Sequence, residues 1–248
     1  MDYKLELLFD RTSHPRQPPH FGSGFTSGSP WRRSRGPAVV GWQHACRDLA
    51  VPLHMTASPL TSGAIALQRL GPADFAARLP ELITVYVAAM AYPDGIAGAR
   101  AGLWQEHSRR AGFTCVVALD GQDRVRGLTY GYTGRPGQWW FSEVQRGIDD
   151  PASPWLADYL ELTELHVHPD NQGAGIGQAL LTALLTDRHE KAVLLSTPEG
   201  TNRAWRLYRR MGFVDVLRQY RFTGDPRPFG VLGRKLPLEP VTPDRGPR

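Results

Sequence analysis

Cysteine is scarce in this chain of 248 residues, which has only Cys46 and Cys115. Two cysteines cannot form the framework of several disulfides that holds small secreted domains together, so that class of protein is excluded. Cys115 lies in the apolar, strand-like stretch FTCVVAL, where a free cysteine is far more often a buried core residue than a reactive group. We therefore predict a core thiol at Cys115 and not a catalytic nucleophile.

Long apolar runs are also missing. A helix that crosses a bilayer needs about 20 consecutive apolar residues, whereas the longest run here, residues 82–92, is about half that length. Asp2 and Glu6 lie where a secretory signal carries positive charge, and no apolar core precedes a small-residue cleavage site. These absences disfavour membrane and secreted proteins. We expect a cytoplasmic enzyme of bacterial type that has no membrane partner.

The first 54 residues lack the sustained apolar period of a helix or strand. They are rich in Pro, Gly, Ser and Arg, and seven basic against four acidic side chains give them three of the five net positive charges. Such a segment buries too little apolar surface to offset the entropy lost on ordering. We predict a poorly ordered basic extension over 1–54 and a folded domain over 55–248. Met55 looks like a natural start, which leaves open whether the extension belongs to the native protein.

A basic arm that binds nucleic acid is a competing interpretation of this extension. It is disfavoured because the arginines are few and are not interleaved with a stacking pattern of aromatic residues. We therefore expect no nucleic-acid partner.

Glycine is concentrated at one junction, in the segment ELTELHVHPDNQGAGIGQALLTALL. Residues 160–167 have the character of a buried strand, residues 168–171 form a turn, and apolar residues recur at helical spacing from Ile176. Each glycine costs a helix about 1 kcal/mol relative to alanine, so three of them in the opening turns need a reason. Without Cβ atoms a ligand can approach the main chain, and the N–H groups of a helix start favour an anion. The segment predicts a pyrophosphate site.

The spacing of this loop excludes two common phosphate-binding motifs. A Walker A loop needs Gly-Lys-Ser/Thr, but Gly177 is followed by Gln-Ala. A dinucleotide fingerprint GxGxxG that begins at Gly173 would need its last glycine where Gln178 stands. The pattern that fits is Gln/Arg-x-x-Gly-x-Gly/Ala, with Gln172, Gly175 and Gly177 in its slots.

That pattern resembles the coenzyme A loop of the GNAT superfamily of N-acetyltransferases, and a second segment supports the resemblance. Members typically carry Asn-x-x-Ala-x-x-Leu-Tyr-x-x-x-Gly-Phe about thirty residues downstream. The positions of this chain that match are Ala204, Leu207, Tyr208, Gly212 and Phe213. The asparagine slot holds Thr201, with Asn202 one place late. We expect Thr201 to cap the helix that follows.

The resemblance covers residues 64–238 and implies the GNAT fold, an α/β (α+β) fold with a mixed central β-sheet flanked by helices. Apolar periodicity along the chain is consistent with an alternating order of strands and helices. The predicted elements are a strand over 65–70, helices over 73–90 and 97–110, strands over 113–119 and 124–131, an irregular stretch over 134–155, the strand and helix around the loop, a strand over 192–196, a helix over 202–211 and two final strands. Pro80 would mark a break or a new first turn in the first helix.

The resemblance also implies acetyl-CoA as co-substrate. Its pyrophosphate would lie on the loop, and main-chain N–H groups near Leu165 and Val167 would bond the pantetheine arm and the acetyl carbonyl. The candidate cofactor-binding residues are Leu165, His166, Val167, Gln172, Gly173, Ala174, Gly175, Ile176, Gly177, Gln178, Thr201 and Asn202. Glu164, His166 and His168 alternate along one strand face, as metal ligands can, but we expect no metal because the adjacent anion loop accounts for the local chemistry.

Acetyl transfer to an amine also needs proton transfers. An ammonium has no lone pair, and deprotonating a lysine-like amine at pH 7 costs about 4.6 kcal/mol. Glu161 and Glu164 are the candidates for the base. Strand alternation puts them on opposite faces unless a bulge reverses the parity, so the choice between them stays open, as does a role in binding the substrate's ammonium or a neighbouring arginine.

Tyr208 is the candidate for protonating the departing thiolate. It occupies the slot where relatives place a phenol near the thioester sulfur. The competing interpretation is that its ring packs the helix onto the sheet.

The acceptor pocket would be built from segments that precede these motifs. They are residues 90–94, residues 104–107, and Trp139 and Trp140 with Glu143, Asp149 and Asp150. Aromatic rings beside carboxylates suit an amine, and a hydrophobic lid with an acidic rim is the competing interpretation.

The sequence thus predicts an N-acetyltransferase that moves the acetyl group of acetyl-CoA to a primary amine of a small molecule or peptide, by direct attack in a ternary complex. The alternative is a non-catalytic CoA-binding sensor or scaffold of the same fold. Formation of a homodimer is left open.

Overall fold

One mixed β-sheet organises the part of the chain that the computed structural model describes, residues 65–150 and 152–238. Its strands are β1 (Ala66–Leu70), β2 (Thr114–Leu119), β3 (Val125–Thr133), β4 (Tyr159–Val167), β5 (Ala192–Pro198), β6 (Val214–Tyr220) and β7 (Phe229–Lys235). The α-helices of these residues are α1 (Pro72–Met90), α2 (Ala97–Ser108), α3 (Trp139–Gly147), α4 (Ile176–Leu185) and α5 (Arg203–Arg210). The extension predicted for residues 1–54 lies outside the described residues.

The sheet has the strand order β1-β2-β3-β4-β5-β7-β6, and only the β4–β5 pair is parallel. That pair is short: residues 159–161 of β4 face residues 192–194 of β5, and the pairing stops there. Both strands continue, β4 to Val167 and β5 to Pro198. We call the unpaired stretch, residues 162–167 and 195–198, the splay. Main-chain polar groups that face it must find partners other than the neighbouring strand.

Helices cover both faces of the sheet because side chains alternate along each strand. On β2, Cys115 and Val117 pack with α1 and α2, whereas Val116 and Ala118 pack with α4 and α5. A third apolar cluster joins α3 to β5 and β7. Full burial of one such aliphatic side chain contributes about 1.5–3 kcal/mol.

The prediction of a buried core thiol at Cys115 is confirmed. The side chain is fully buried in the cluster beneath α1. Burial also raises the pKa of the thiol well above its ordinary value, which keeps it in the unreactive protonated form.

Three local predictions about helices are wrong. Helix α1 runs through Pro80 without a break. An interior proline costs about 3 kcal/mol, and the burial of Leu79, Leu82 and Ile83 on the sheet offsets this cost.

The stretch predicted to be irregular contains the short amphipathic helix α3, which the glycines and prolines around it obscured in the sequence. The cap of α5 is Asn202, whose Oδ1 accepts from the N–H of Trp205 at 3.0 Å, because this helix begins one residue later than a cap at Thr201 would require.

A β-bulge in β4 decides the orientation of the two candidate carboxylates. Tyr130 of β3 pairs with Glu164, but the next residue, Gly131, pairs with Leu162, so Thr163 is an extra residue. The bulge reverses the alternation, and Glu161 and Glu164 face the same side of the sheet, towards α2. The opposite-face prediction is wrong, and the bulge alternative is correct.

Gly131 keeps β3 close to this bulge, and adding a methyl group there tests it. A Cβ on Gly131 would lie 2.5 Å from the carbonyl oxygen of Glu161, a main-chain atom that cannot rotate away. We expect Gly131→Ala to lower the free energy of unfolding by about 1–3 kcal/mol, the usual cost of overpacking. Urea unfolding measures it, with Gly121→Ala as the control because a Cβ there meets no atom within 4 Å. Equal stability of the two variants would contradict the bulge geometry.

Candidate functional site

The loop between β4 and α4 has the main-chain conformation of an anion site. Gly173 and Gly175 have φ angles of 88° and 81°, in the left-handed region that residues with a Cβ avoid. Gly175 is the residue before α4, and no side chain caps this helix. The first N–H groups of α4 and the positive end of its dipole therefore face outwards, where a negatively charged group would satisfy them.

A cleft of about 440 Å³ opens from this loop and runs between the splay and α5. This volume is in the range of small-molecule sites. The residues that line the cleft are Leu165, Val167, Asn171, Gln172, Gly173, Gly175, Ile176, Gly177, Gln178, Arg203, Ala204, Arg206, Leu207, Tyr208 and Arg210. Eight of the predicted cofactor-binding residues are among them; the others, His166, Ala174, Thr201 and Asn202, do not line it.

Gln172 ties together the three segments that form the cleft. Its Nε2 donates to the carbonyl of Val167 at 3.1 Å, and its Oε1 accepts from Nη1 of Arg203 at 2.8 Å. The motif glutamine thus fixes the loop to the end of β4 and to the start of α5.

The edge of β4 that faces the splay carries main-chain N–H groups. The N–H of His168 donates to the carbonyl of Arg126 at 2.8 Å, on the β3 side. Because N–H groups alternate along a strand, those of Val167 and Leu165 point to the opposite edge. This orientation is the one that the expected contacts to a pantetheine arm require.

The rim of the cleft is basic. Arg203, Arg206 and Arg210 line it from one side of α5, where they recur at helical spacing. These arginines were not predicted, because they lie outside the motif slots. The spacing i, i+3, i+7 within RAWRLYRR is the signal that identifies them.

Tyr208 lies in the wall of the same cleft. The side chain is buried, and its ring packs against that of Phe213 at 5.5 Å between centroids. Burial raises the pKa of the phenol well above its ordinary value, and the negative charge of Glu164 raises it further. The hydroxyl therefore keeps its proton at neutral pH and can act as a donor.

A buried polar cluster lies on the other face of β4, against α1 and α2. Glu164 Oε2 is 2.6 Å from Nε2 of His166, and its Oε1 accepts from Nη1 of Arg100 at 3.4 Å and from Nε1 of Trp104 at 3.3 Å. Arg100 also donates to the hydroxyl of Tyr86 at 2.5 Å. Tyr86 and Arg100 were not predicted. The four-residue spacing of Arg100 and Trp104 puts both on one face of α2, but it indicates neither Tyr86 nor the contact of Arg100 with Glu164.

Glu161 lies deeper than Glu164. Its side chain is fully buried, and the hydroxyl of Tyr132 donates to Oε1 at 3.0 Å. Arg110 in turn donates to Tyr132 at 2.6 Å. These contacts tie the turn after α2 to the centre of the sheet.

The predicted acceptor segments do not form one pocket. Trp104 is buried beside Glu164, whereas Trp140 packs in the cluster of α3 and donates from Nε1 to Oγ of Ser196 at 3.0 Å. The carboxylate of Glu143 accepts a hydrogen bond from the N–H of Thr223 at 2.9 Å. The aromatic pair of α3 and its carboxylate therefore hold β6 and β7 in place.

Within residues 65–150 and 152–238, no group of three or more His, Cys, Asp or Glu side chains is arranged to hold a metal ion. His168 is directed to Asp170, with Nδ1 3.5 Å from Oδ2, and does not join the pair of His166 and Glu164. The helices of the described residues also include none with the length and apolar character needed to span a bilayer.

Known proteins resemble the chain in both sequence and fold. A family model described as acetyltransferase (GNAT) domain matches residues 111–215. A GCN5-like protein acetyltransferase of Mycobacterium tuberculosis is 45% identical over 205 residues, which cover 71% of this chain and 100% of that protein. The chain belongs to the GNAT acetyltransferase family. The resemblance seen in the two sequence motifs is confirmed.

Solved structures agree with this GNAT assignment at the level of the fold. A protein from Desulfovibrio desulfuricans assigned to the GNAT family has a TM-score of 0.50 at 19% identity, covering 69% of this chain and 99% of its own. The ribosomal-protein-S18-alanine N-acetyltransferase of Escherichia coli has a TM-score of 0.50 at 15% identity, covering 73% and 98%. The predicted mixed sheet flanked by helices is confirmed.

Substitutions in the GNAT loop separate main-chain conformation from steric space. A Cβ on Gly175 would meet no atom within 4 Å, so any cost must come from its positive φ angle. We expect Gly175→Ala to lower the free energy of unfolding by about 1–2 kcal/mol, and Gly175→Asn to lower it less because asparagine tolerates this region. Gly177→Ala is the matched control, since this glycine does not have a positive φ angle. Equal urea midpoints for Gly175→Ala and Gly177→Ala would contradict this account.

Proposed function

We propose that this protein is an acetyl-CoA-dependent N-acetyltransferase that acetylates a primary amine by direct attack in a ternary complex. The observation that carries the proposal is the cleft. It joins an uncapped helix start, an unpaired strand edge and a buried phenol in one continuous space. These are, in order, partners for a pyrophosphate, a pantetheine arm and a thioester sulfur.

The residues present fit this co-substrate. N–H groups of Gly175, Gly177 and their neighbours would hold the pyrophosphate, while Leu165 and Val167 would supply main-chain N–H groups to the arm. The three arginines on α5 add positive charge where the remaining phosphate leaves the cleft. Gln172 keeps its role as the tie between loop, strand and helix, and so acts on the ligand indirectly.

Tyr208 is our candidate for the acid. Its position in the cleft wall suits transfer of the phenol proton to a departing thiolate. Bond breaking then does not leave a bare thiolate in a partly apolar cleft.

Of the two carboxylates, Glu164 is our first candidate for promoting removal of the amine proton, directly or through a neighbouring group. It lies in the splay, and its side chain is 10% exposed, whereas Glu161 has no exposure and is covered by Tyr132. Glu161 is therefore the second candidate, and its contacts fit a role in holding β3 and β4 together.

The acceptor class is guided by the mycobacterial relative, which is a protein acetyltransferase by name. We propose that amines on peptide or protein segments are the first class to test, before small-molecule amines. A screen of lysine peptides, peptide N-termini, polyamines and aminoglycosides, read out by thiol release, distinguishes these classes.

Tyr208→Phe tests the proposed acid. We expect kcat to fall by about 10²-fold or more because the proton donor is lost, with the affinity for acetyl-CoA unchanged because the ring is retained. Thiol release gives kcat, and thermal unfolding with acetyl-CoA gives affinity. Tyr220→Phe on β6 is the control. An unchanged kcat would show that Tyr208 only packs, and binding without thiol release for any amine would favour the sensor or scaffold.

The basic rim predicts dependence on the phosphates of the co-substrate. Arg206→Gln and Arg210→Gln should each weaken binding of acetyl-CoA up to about tenfold at low salt, since a charge-assisted contact contributes about 1.5 kcal/mol or more. The effect should shrink as salt screens the charges. Calorimetry at two ionic strengths measures it, with Arg124→Gln in the β2–β3 turn as the control. Equal affinity for all three variants would contradict a role for the rim.

A further inference from the structure

One imidazole in the buried polar cluster has no role in the reaction as described so far. His166 lies on β4 within the splay, and its side chain is 10% exposed, as is that of Glu164. One nitrogen, Nε2, is 2.6 Å from Glu164 Oε2. A ring that donates one N–H to a carboxylate keeps a lone pair on the other nitrogen.

Glu164 is better placed to hold this ring than to meet a substrate. Both of its oxygens are engaged, one by His166 and the other by Arg100 and Trp104. An ammonium that approached the carboxylate directly would have to displace a buried donor. The ring of Tyr86 stands edge-on to that of His166, 5.0 Å between centroids, and restricts its rotation.

The charged groups around His166 are of both signs. The carboxylate of Glu164 lies 2.6 Å from Nε2, and the guanidinium of Arg100 pairs with the same carboxylate at 3.4 Å. The phenol of Tyr86 on α1 packs against the ring, and that of Tyr130 lies on β3 opposite Glu164. Burial raises the pKa of both phenols well above the ordinary value, so both stay neutral. The ring of His166 is thus oriented by Glu164, which also pairs with the buried guanidinium of Arg100.

We propose that His166 accepts the proton of the amine substrate and that Glu164 is the residue that positions it. This inference rests on the proposed function. Glu164 binds Nε2–H, which leaves Nδ1 to take a proton from the substrate's ammonium. The arrangement of a carboxylate, an imidazole and a nucleophile is the one that orients a base in other acyl transfers.

The proton inventory of this step is balanced. After His166 takes the first proton, the amine nitrogen bonds to the thioester carbonyl carbon, and the carbon–sulfur bond breaks as the tetrahedral centre collapses. The sulfur takes the proton of Tyr208, which is replaced by the second proton that the new amide nitrogen loses. His166 returns its proton to solvent, so the products are an amide, a thiol and one proton.

Two substitutions at position 166 test the proposal. We expect His166→Ala and His166→Gln to lower kcat/KM by about 10²-fold or more. We also expect kcat/KM of wild type to fall at acid pH and these variants to show a flatter fall. Added imidazole should restore part of the activity of His166→Ala, more strongly as pH rises, because the neutral form is the base. His168→Ala, at the residue that follows β4, is the matched control and should retain wild-type activity.

Glu164→Gln tests the positioning role. We expect kcat to fall and the acid side of the pH profile to move, with the KM for acetyl-CoA unchanged, and Glu164→Asp should recover part of kcat. Thermal unfolding establishes that each variant is folded; if His166→Ala is not, His166→Gln, which keeps more of the volume, carries the test.

The outcomes separate this inference from the proposed function. A wild type that releases thiol, with His166 variants that keep its rate and pH profile, would overturn the role of His166 and leave the acetyltransferase assignment intact. Absence of thiol release from wild type with every amine class would overturn both. A loss in His166→Ala that imidazole does not relieve, with an unchanged pH profile in His166→Gln, would show that the ring is structural.

Discussion

The early end of the β4–β5 pairing is the constraint on which the rest of the molecule depends. A parallel pair in the middle of a sheet is normally buried and fully hydrogen-bonded, yet here the two strands share only residues 159–161 and 192–194. Helices on both faces keep the separated strands in place. The sheet thus holds an unpaired strand edge in its interior. Every group proposed to act on a ligand either lies within one or two residues of that edge or lines the cleft that leads to it.

The bulge at Thr163 gives the splay its chemistry. Without the extra residue, Glu161 and Glu164 would alternate and one would face α4; with it, both face α2. Burial of carboxylates is costly unless they are paired and hydrogen-bonded, and Arg100, Trp104 and Tyr132 supply those contacts. Most of the polar groups of the proposed centre are therefore fixed before any substrate arrives, which is the condition for effective proton transfer.

The parts of the site that the sequence predicted are those encoded over a few residues. Loop glycines, the helix after them and Tyr208 are read from short spacings, and the structure brings them to one cleft. Whether the two carboxylates face the same side of the sheet depends on a bulge, which is set by the pairing of β4 with β3. The continuation of α1 through Pro80 depends on packing of the helix against the sheet. Arg100 and Glu164 are 64 residues apart in the sequence, so no local sequence pattern predicts their contact.

Alternation along β4 divides the proposed reactants between two sides of the sheet. Leu165 and Val167 face the cleft with α4 and α5, while Glu164 and His166 face α1 and α2. Donor and acceptor would then arrive from opposite directions and meet only at the gap between the strands. Neither has to leave before the other enters, so a compound that joins the two through this gap would occupy both entrances at once and gain affinity from each.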